Sequence, residues 1–144
     1  RLEAGLGQVT PEHCYGKDAE TFRSFGLTRQ KSGYAVDLAQ FFHSRQHLER
    51  DWSTMSDEEV IADITQIKGI GRWTAEMFLI FHLMRPDVLP LGDLGLIKAI
   101  WKFYNDGEKL SNAEMIALAE RWQPWRSVAT WYLWRTYDVV AVNY

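Results

Sequence analysis

The sequence has few of the residues that form disulfides or metal sites, and it lacks the long apolar runs that anchor a protein in a membrane. Its 144 residues include one cysteine, Cys14, which excludes an internal disulfide, a four-cysteine zinc site and a cysteine-held iron–sulfur cluster. No apolar run approaches the roughly 20 residues of a membrane helix, and no signal-peptide pattern opens the sequence. We therefore expect an intracellular protein that has no membrane partner.

Positive charge is scarce as well. The 16 Lys and Arg residues are outnumbered by 19 Asp and Glu residues, and the formal net charge of −3 argues mildly against a nucleic-acid partner. The acidic excess is concentrated between residues 49 and 63, however, whereas residues 68–85 and 121–135 carry more bases than acids. One surface of this acidic chain can therefore be neutral or basic.

The rest of the composition is that of a globular protein. Hydrophobic residues make up 47% of the chain and charged residues 24%, which excludes disorder and fibrous repeats. The length fits about one domain and suffices to bury a core without disulfides. The unusual feature is the aromatic content of 14%, which includes seven Trp.

Helical spacing of apolar residues runs through nearly the whole chain. Residues 60–67 carry apolar side chains on one helical face, and Thr28 is placed to cap a helix that follows it. Two further helix starts show the capping-box pattern, Ser56 with Glu59 and Ser111 with Glu114. We predict an all-α fold, a multi-helix bundle of about seven helices.

The most informative segment lies between two of these helical patterns. Gly69 and Gly71 flank the apolar Ile70, and a new helix pattern begins directly after them. Glycines permit a tight turn and a close approach of the backbone to a ligand, and amides at a helix start favour an anion. The alternative is a plain helix–turn–helix corner, because glycine is common at helix ends.

Three separated segments together resemble one protein family. Residues 68–75 read Lys-Gly-Ile-Gly-Arg-Trp-Thr-Ala, residues 85–96 read Arg-Pro-Asp-Val-Leu-Pro-Leu-Gly-Asp-Leu-Gly-Leu, and residues 122–134 begin Trp-Gln-Pro-Trp-Arg-Ser. They resemble the hairpin, the Gly/Pro-rich loop with its Asp, and the last helix of helix–hairpin–helix DNA glycosylases. Within that superfamily the resemblance is to the alkylbase, or 3-methyladenine DNA glycosylase II, branch. Residues 10–12 and 26–31 fit the same branch.

The resemblance implies that Asp93 is the catalytic residue. Breaking the bond between a base and its sugar builds positive charge on the sugar, and a fixed carboxylate stabilises that charge or orients the attacking water. The alternative is that Asp93 caps a helix, which is the usual role of an Asp in this position. The two roles are compatible, because a helix start also favours an ionised carboxylate.

Trp73 bears on the type of reaction. Bifunctional relatives carry a Lys nucleophile directly after the Gly-x-Gly-Arg turn, and this sequence has Trp there, so the resemblance implies that water attacks the sugar. It also implies a base pocket formed by Trp73, Trp134 and Met77. The alternative for Trp73 is ordinary helix core. The remaining tryptophans are predicted to be mostly core: Trp52, Trp101, Trp122, Trp125 and Trp131.

The expected partner is double-stranded DNA that contains damaged bases. The resemblance assigns phosphate binding to the hairpin and the start of the next helix, at Lys68, Gly69, Ile70, Gly71, Arg72 and Thr74. A hairpin that binds phosphate through backbone amides predicts a shallow salt dependence. No cofactor, no iron–sulfur cluster and no metal site is expected from side chains, and a monovalent cation at the hairpin is left open. We expect a monomer, cytoplasmic if bacterial and nuclear if eukaryotic.

The expected domain organisation is a single glycosylase domain over residues 1–144 that lacks an N-terminal portion. In the family, a helix ahead of this region carries residues that wedge into the duplex, and the resemblance matches only its end, at Arg1 and Leu2, to this chain. The helix–hairpin–helix motif is predicted over about residues 57–84.

The leading hypothesis is therefore a monofunctional enzyme that flips an alkylated purine out of duplex DNA and hydrolyses its N-glycosidic bond. The alternative is a helix–hairpin–helix module that binds DNA without chemistry. Asp93 separates the two, because a binding module needs the glycines of the hairpin but no carboxylate about twenty residues later.

Overall fold

A computed structural model describes residues 1–44 and 51–137, so residues 49 and 50 of the acidic stretch lie outside the described ranges. The described residues form nine α-helices and one short 3-10 helix, which confirms the predicted all-α fold. They belong to two compact units, Arg1–Gly71 and Arg72–Tyr144, each of which is described by itself. Within the described residues, no helix combines the length and the apolar content needed to cross a bilayer.

The first unit contains five helices. They are α1 (Leu2–Leu6), α2 (Pro11–Cys14), α3 (Ala19–Ser24), α4 (Arg29–His43) and α5 (Asp57–Ile64). The first three span only four to six residues, too few to show a helical repeat of apolar residues. This explains why about seven helices were predicted and nine are observed among the described residues.

Predicted caps set the starts of α4 and α5. The Thr28 hydroxyl accepts a hydrogen bond from the amide of Lys31, and Ser56 and Glu59 satisfy each other's backbone amides as a capping box. The apolar face of α5 and the residues after it are buried, as the spacing predicted, at Val60, Ile61, Ile64 and Ile67. Cys14 is half-buried.

The second unit contains α6 (Arg72–Phe81), α7 (Leu94–Tyr104), α8 (Asn112–Ala119), a 3-10 turn (Glu120–Trp122) and α9 (Arg126–Tyr137). Its core is formed where α7 packs against α9 and α8. The fully or nearly buried members of this core are Leu96, Ala99, Ile100, Met115 and Leu133. The second predicted capping box, at Ser111 and Glu114, starts α8.

The prediction that the remaining tryptophans are core is wrong for two of them. Trp125 and Trp131 are 60% and 43% exposed, whereas Trp52, Trp101 and Trp122 are partly buried. Both exposed residues lie at or within α9, which carries apolar and aromatic residues around its whole circumference. A helix of that composition has no stripe from which its buried face can be read.

Met84 provides a test of the backbone after α6. Its φ of 54° is in the left-handed region, where a Cβ costs about 1–2 kcal/mol and where glycine is favoured at helix ends. We expect Met84→Gly to raise the free energy of unfolding by about 1 kcal/mol, because strain is relieved at an exposed position. Urea unfolding measures the change. Met84→Ala keeps the Cβ and should give no such gain; equal effects of the two variants would contradict the strain.

Candidate active site

Asp93 lies at the boundary between a loop and α7. It is the N-cap residue of that helix, and its Oδ1 accepts the amide of Leu96 at 2.7 Å. The backbone amide of Asp93 itself donates to the carbonyl of Pro90 at 2.9 Å, inside the preceding turn. The predicted cap is therefore present, and it fixes the carboxylate at the positive end of the helix dipole.

Two indole groups donate to this carboxylate from different helices. Nε1 of Trp134, on α9, donates to Oδ1 at 2.8 Å, and Nε1 of Trp73, on α6, donates to Oδ2 at 2.9 Å. A Cβ at Gly95 would lie 3.1 Å from Oδ1 of Asp93 and 3.3 Å from the Trp134 ring. Glycine at this position therefore leaves the space in which Trp134 reaches the carboxylate.

These hydrogen bonds decide the protonation state of Asp93. Partial burial acts to raise the pKa of its carboxyl, but the bonds from the Leu96 amide and from the indoles of Trp134 and Trp73 outweigh burial and lower the pKa below its ordinary value. All three donors favour the charged form. Asp93 is thus held as an anion whose both oxygens are oriented.

A second cluster fixes the loop that precedes Asp93. The guanidinium of Arg126, at the start of α9, donates to both carboxylate oxygens of Asp87, at 2.7 and 2.8 Å. The hydroxyl of Ser127 donates to the carbonyl of Arg85 at 2.7 Å and accepts the amide of Val88 at 2.9 Å. The hydrogen bond from Arg126 also lowers the pKa of Asp87. The same helix that supplies Trp134 therefore holds the loop that supplies Asp93.

Aromatic side chains extend from the carboxylate along α6. Trp73, Met77 and Phe81 follow one another at intervals of four residues, which places them on one helix face. The Phe81 ring stacks on Trp134 with centroids 5.9 Å apart and planes 17° from parallel. Trp73 is 48% exposed, so the alternative that it is core is wrong. Met77 is partly buried, and its role in a base pocket stays a prediction.

Phe81 is a site residue that the sequence predictions missed. It is 58% exposed and stacks on Trp134, which donates a hydrogen bond to Asp93. A usable signal was present, since Phe81 lies two helical turns after Trp73 on the face that Trp73 defines. The apolar stripe alone could not separate a core residue from a pocket wall.

The glycine turn closes the first unit. Gly69 has a φ of +91°, and a Cβ added to it would overlap the ring of Tyr34, on α4. Lys68 and Gly71 are exposed, and Ile70 is half-buried with its amide bound to the carbonyl of Ile67 at 3.0 Å. Glycine is therefore favoured at position 69 for two reasons: the backbone is left-handed there, and an aromatic ring packs directly against it.

The start of α6 opens the second unit. Nε of Arg72 donates to the buried carboxylate of Glu76 at 3.0 Å, one turn along the helix. Thr74 is partly buried. The ion pair with Glu76 orients the Arg72 side chain, and phosphate binding by Arg72, Thr74 and residues 68–71 stays a prediction.

Proteins of known structure resemble the whole of this chain. A structure of the Schizosaccharomyces pombe 3-methyladenine DNA glycosylase in complex with abasic DNA has a TM-score of 0.79 at 30% identity, covering 96% of this chain and 71% of that one. The crystal structure of a DNA-3-methyladenine glycosidase from Bacillus halodurans has a TM-score of 0.81 at 34% identity, covering 100% of this chain and 67% of that one.

Sequence comparison gives the same picture. The DNA-3-methyladenine glycosylase 1 of Schizosaccharomyces pombe is 35% identical over 132 residues, which are 88% of this chain and 56% of that protein. No protein-family model matches the chain. The chain spans about half the length of the curated relatives it matches.

The indole bonds to Asp93 can be tested by titration. We expect Trp134→Phe to raise the pKa of Asp93, because the variant removes a donor that favours the ionised carboxyl. Carbon NMR of the carboxyl group over a pH series measures the change. The exposed Trp125→Phe serves as the control and should leave this pKa where it is. An unchanged pKa in Trp134→Phe would contradict the role of the indole.

The lowered pKa of Asp93 also determines how the free energy of unfolding changes with pH. Because it is lower in the folded chain than in the unfolded one, ionised Asp93 stabilises the fold above the unfolded pKa. That contribution is lost as the pH falls through the folded pKa. We expect the difference in unfolding free energy between the parent and Asp93→Asn to be largest near neutral pH and to shrink in acid. Urea unfolding at several pH values measures it, and a difference independent of pH would contradict the titration.

Proposed function

Because the chain belongs to the helix–hairpin–helix family of DNA-3-methyladenine glycosylases, we propose that it releases alkylated purines from duplex DNA. The reaction is hydrolysis of the N-glycosidic bond, and it leaves an abasic site. The observation that carries the proposal is the carboxylate of Asp93, which is held ionised by three donors beside an exposed aromatic wall.

The chemistry follows from a fixed anion. When the bond between C1′ and the base nitrogen breaks, its electron pair leaves with the base and positive charge develops on the sugar. The oriented carboxylate of Asp93 stabilises that charge without reorganising at the moment of reaction. Water then adds to C1′ and loses a proton to the solvent. A lowered pKa makes Asp93 a weak proton acceptor, so its main contribution is electrostatic and its second is to orient the water.

The aromatic wall suits the proposed substrate. Methylation of a purine ring nitrogen leaves the base electron-poor and positively charged, and the faces of aromatic rings attract cations. Trp73 and the stacked pair of Phe81 and Trp134 offer such faces next to Asp93. A base must leave the duplex stack to reach these rings, and enzymes that act on bases achieve this by flipping the nucleotide out of the duplex.

We propose that the hairpin holds the DNA while the base is flipped. The glycine turn would contact a phosphate through Lys68, Gly69, Ile70 and Gly71. The first turn of α6 would contact it through Arg72 and Thr74, because the amides at this helix start lack acceptors within the helix. The helix–hairpin–helix motif then covers about residues 57–84 of a glycosylase domain. We further infer a monomer that acts where DNA is held, the cytoplasm or the nucleus.

The first test of the function is Asp93→Asn. We expect the release of methylated purine from duplex DNA to fall by about a hundredfold or more, since the amide cannot supply the negative charge. Chromatography of the free base measures the rate. Asp106→Asn is the control, because Asp106 is exposed and has a φ of 50°, which Asn tolerates equally well. Equal, measurable rates for Asp93→Asn and the parent would overturn the catalytic role of Asp93, and a parent that binds duplex DNA but releases no base would leave the DNA-binding alternative.

The second test concerns the nucleophile. Trp73 offers no amine at the position where bifunctional relatives carry Lys, so we expect no Schiff base with the sugar. Sodium borohydride added during the reaction should therefore give no covalent protein–DNA adduct on a denaturing gel, while a bifunctional glycosylase in parallel is trapped. A trapped adduct of this chain would overturn water as the nucleophile and leave base release itself intact.

A further inference from the structure

A pocket lies beside the glycine turn, within the first unit. Its volume is about 450 Å³. It is lined entirely by residues of the first unit, most of them from the first turns of α4: Arg29, Gln30, Gly33, Tyr34, Asp37 and Lys68. Lys68 directly precedes Gly69, so the pocket and the turn share a border.

Tyr34 joins the two features. One face of its ring occupies the space that a Cβ of Gly69 would need, so the ring supports the turn from beneath. Its hydroxyl oxygen accepts a hydrogen bond from Nε2 of Gln30 at 2.7 Å. A phenol that accepts this bond keeps its own proton for a further acceptor. The pocket therefore offers a hydroxyl donor at the edge of the hairpin.

The charged groups of the pocket favour an anion. Arg29 and Lys68 are exposed cations, and Asp37 is the one acid in the lining. Among the described residues no ion pair joins Asp37 to either cation. Two positive charges and a hydroxyl donor against one carboxylate leave the pocket net positive. Guanidinium and ammonium groups are the side chains that bind phosphate.

We propose that this pocket binds a backbone phosphate of the DNA strand that the glycine turn contacts, with Arg29, Lys68 and Tyr34 as its ligands. The proposal rests on the proposed function, since it adds a phosphate site next to the hairpin. Binding at the turn through amides alone would contribute little to the salt dependence of affinity. The affinity of this acidic chain for DNA is expected to depend only weakly on salt concentration. Two cationic ligands in the pocket would account for a large share of the dependence that remains.

Salt titration of DNA binding tests the pocket. The probe is duplex DNA with one abasic-site analogue, and fluorescence anisotropy gives Kd for the full chain over a series of KCl concentrations. Arg29→Gln and Lys68→Gln should each weaken binding and reduce the slope of log K against log salt by about 0.9. Tyr34→Phe keeps the ring under Gly69 and should weaken binding about twofold to tenfold with the slope unchanged.

Lys31→Gln is the matched control. Lys31 is exposed on the same turn of α4 but does not line the pocket, so the variant loses the same charge nearby and should leave the slope close to that of the parent. An equal loss of slope in Lys31→Gln would overturn the pocket in favour of diffuse attraction. Unchanged slopes in Arg29→Gln and Lys68→Gln would overturn it as well.

The outcome is separable from that of the proposed function. A parent that releases methylated purine and binds the duplex, while the pocket variants bind as it does, rejects the phosphate pocket alone. A parent that neither binds duplex DNA nor releases base rejects the proposed function together with the pocket that rests on it.

Discussion

The hydrogen bonds that converge on Asp93 are the constraint around which the second unit is organised. An amide of α7 and indoles from α6 and α9 donate to the same carboxylate. Each donor comes from a different helix, so the position of the anion is defined only when all three helices are in register. In return, the charge gives two large aromatic rings a fixed orientation that packing alone would not impose.

That arrangement explains why the aromatic residues around the site remain exposed. A Trp in a core is oriented by neighbours on every side, whereas Trp73 is nearly half exposed and is oriented by one strong hydrogen bond. Phe81 is oriented in turn by the ring of Trp134. The site thus presents flat apolar faces to solvent, and a hydrogen bond and a ring contact orient them.

Much of this could be predicted from the sequence, and the failures have physical reasons. The caps at Thr28, Ser56, Ser111 and Asp93 depend on local hydrogen bonds, which neighbouring residues specify. The hydrogen bond between Asp93 and Trp134 spans 41 residues, and the family resemblance assigned a role to each residue without predicting the bond between them. The exposure of Trp125 and Trp131 could not be predicted, because polar and apolar residues alternate around α9 without forming a separate apolar stripe. Helices as short as α1 to α3 leave no periodic trace.

The contacts of α9 also set an order of events during synthesis. Arg126 reaches back 39 residues to Asp87, and Trp134 reaches back 41 residues to Asp93, so the loop and the carboxylate both wait for a helix that is made after them. Until α9 has left the ribosome, Asp93 lacks the hydrogen bond from Trp134, and the loop before it lacks the ion pair with Arg126. A chain still in synthesis therefore contains every residue of the candidate site except Trp134, but the Asp93 carboxylate is not yet fixed in place. Assembly of the site is coupled to completion of α9.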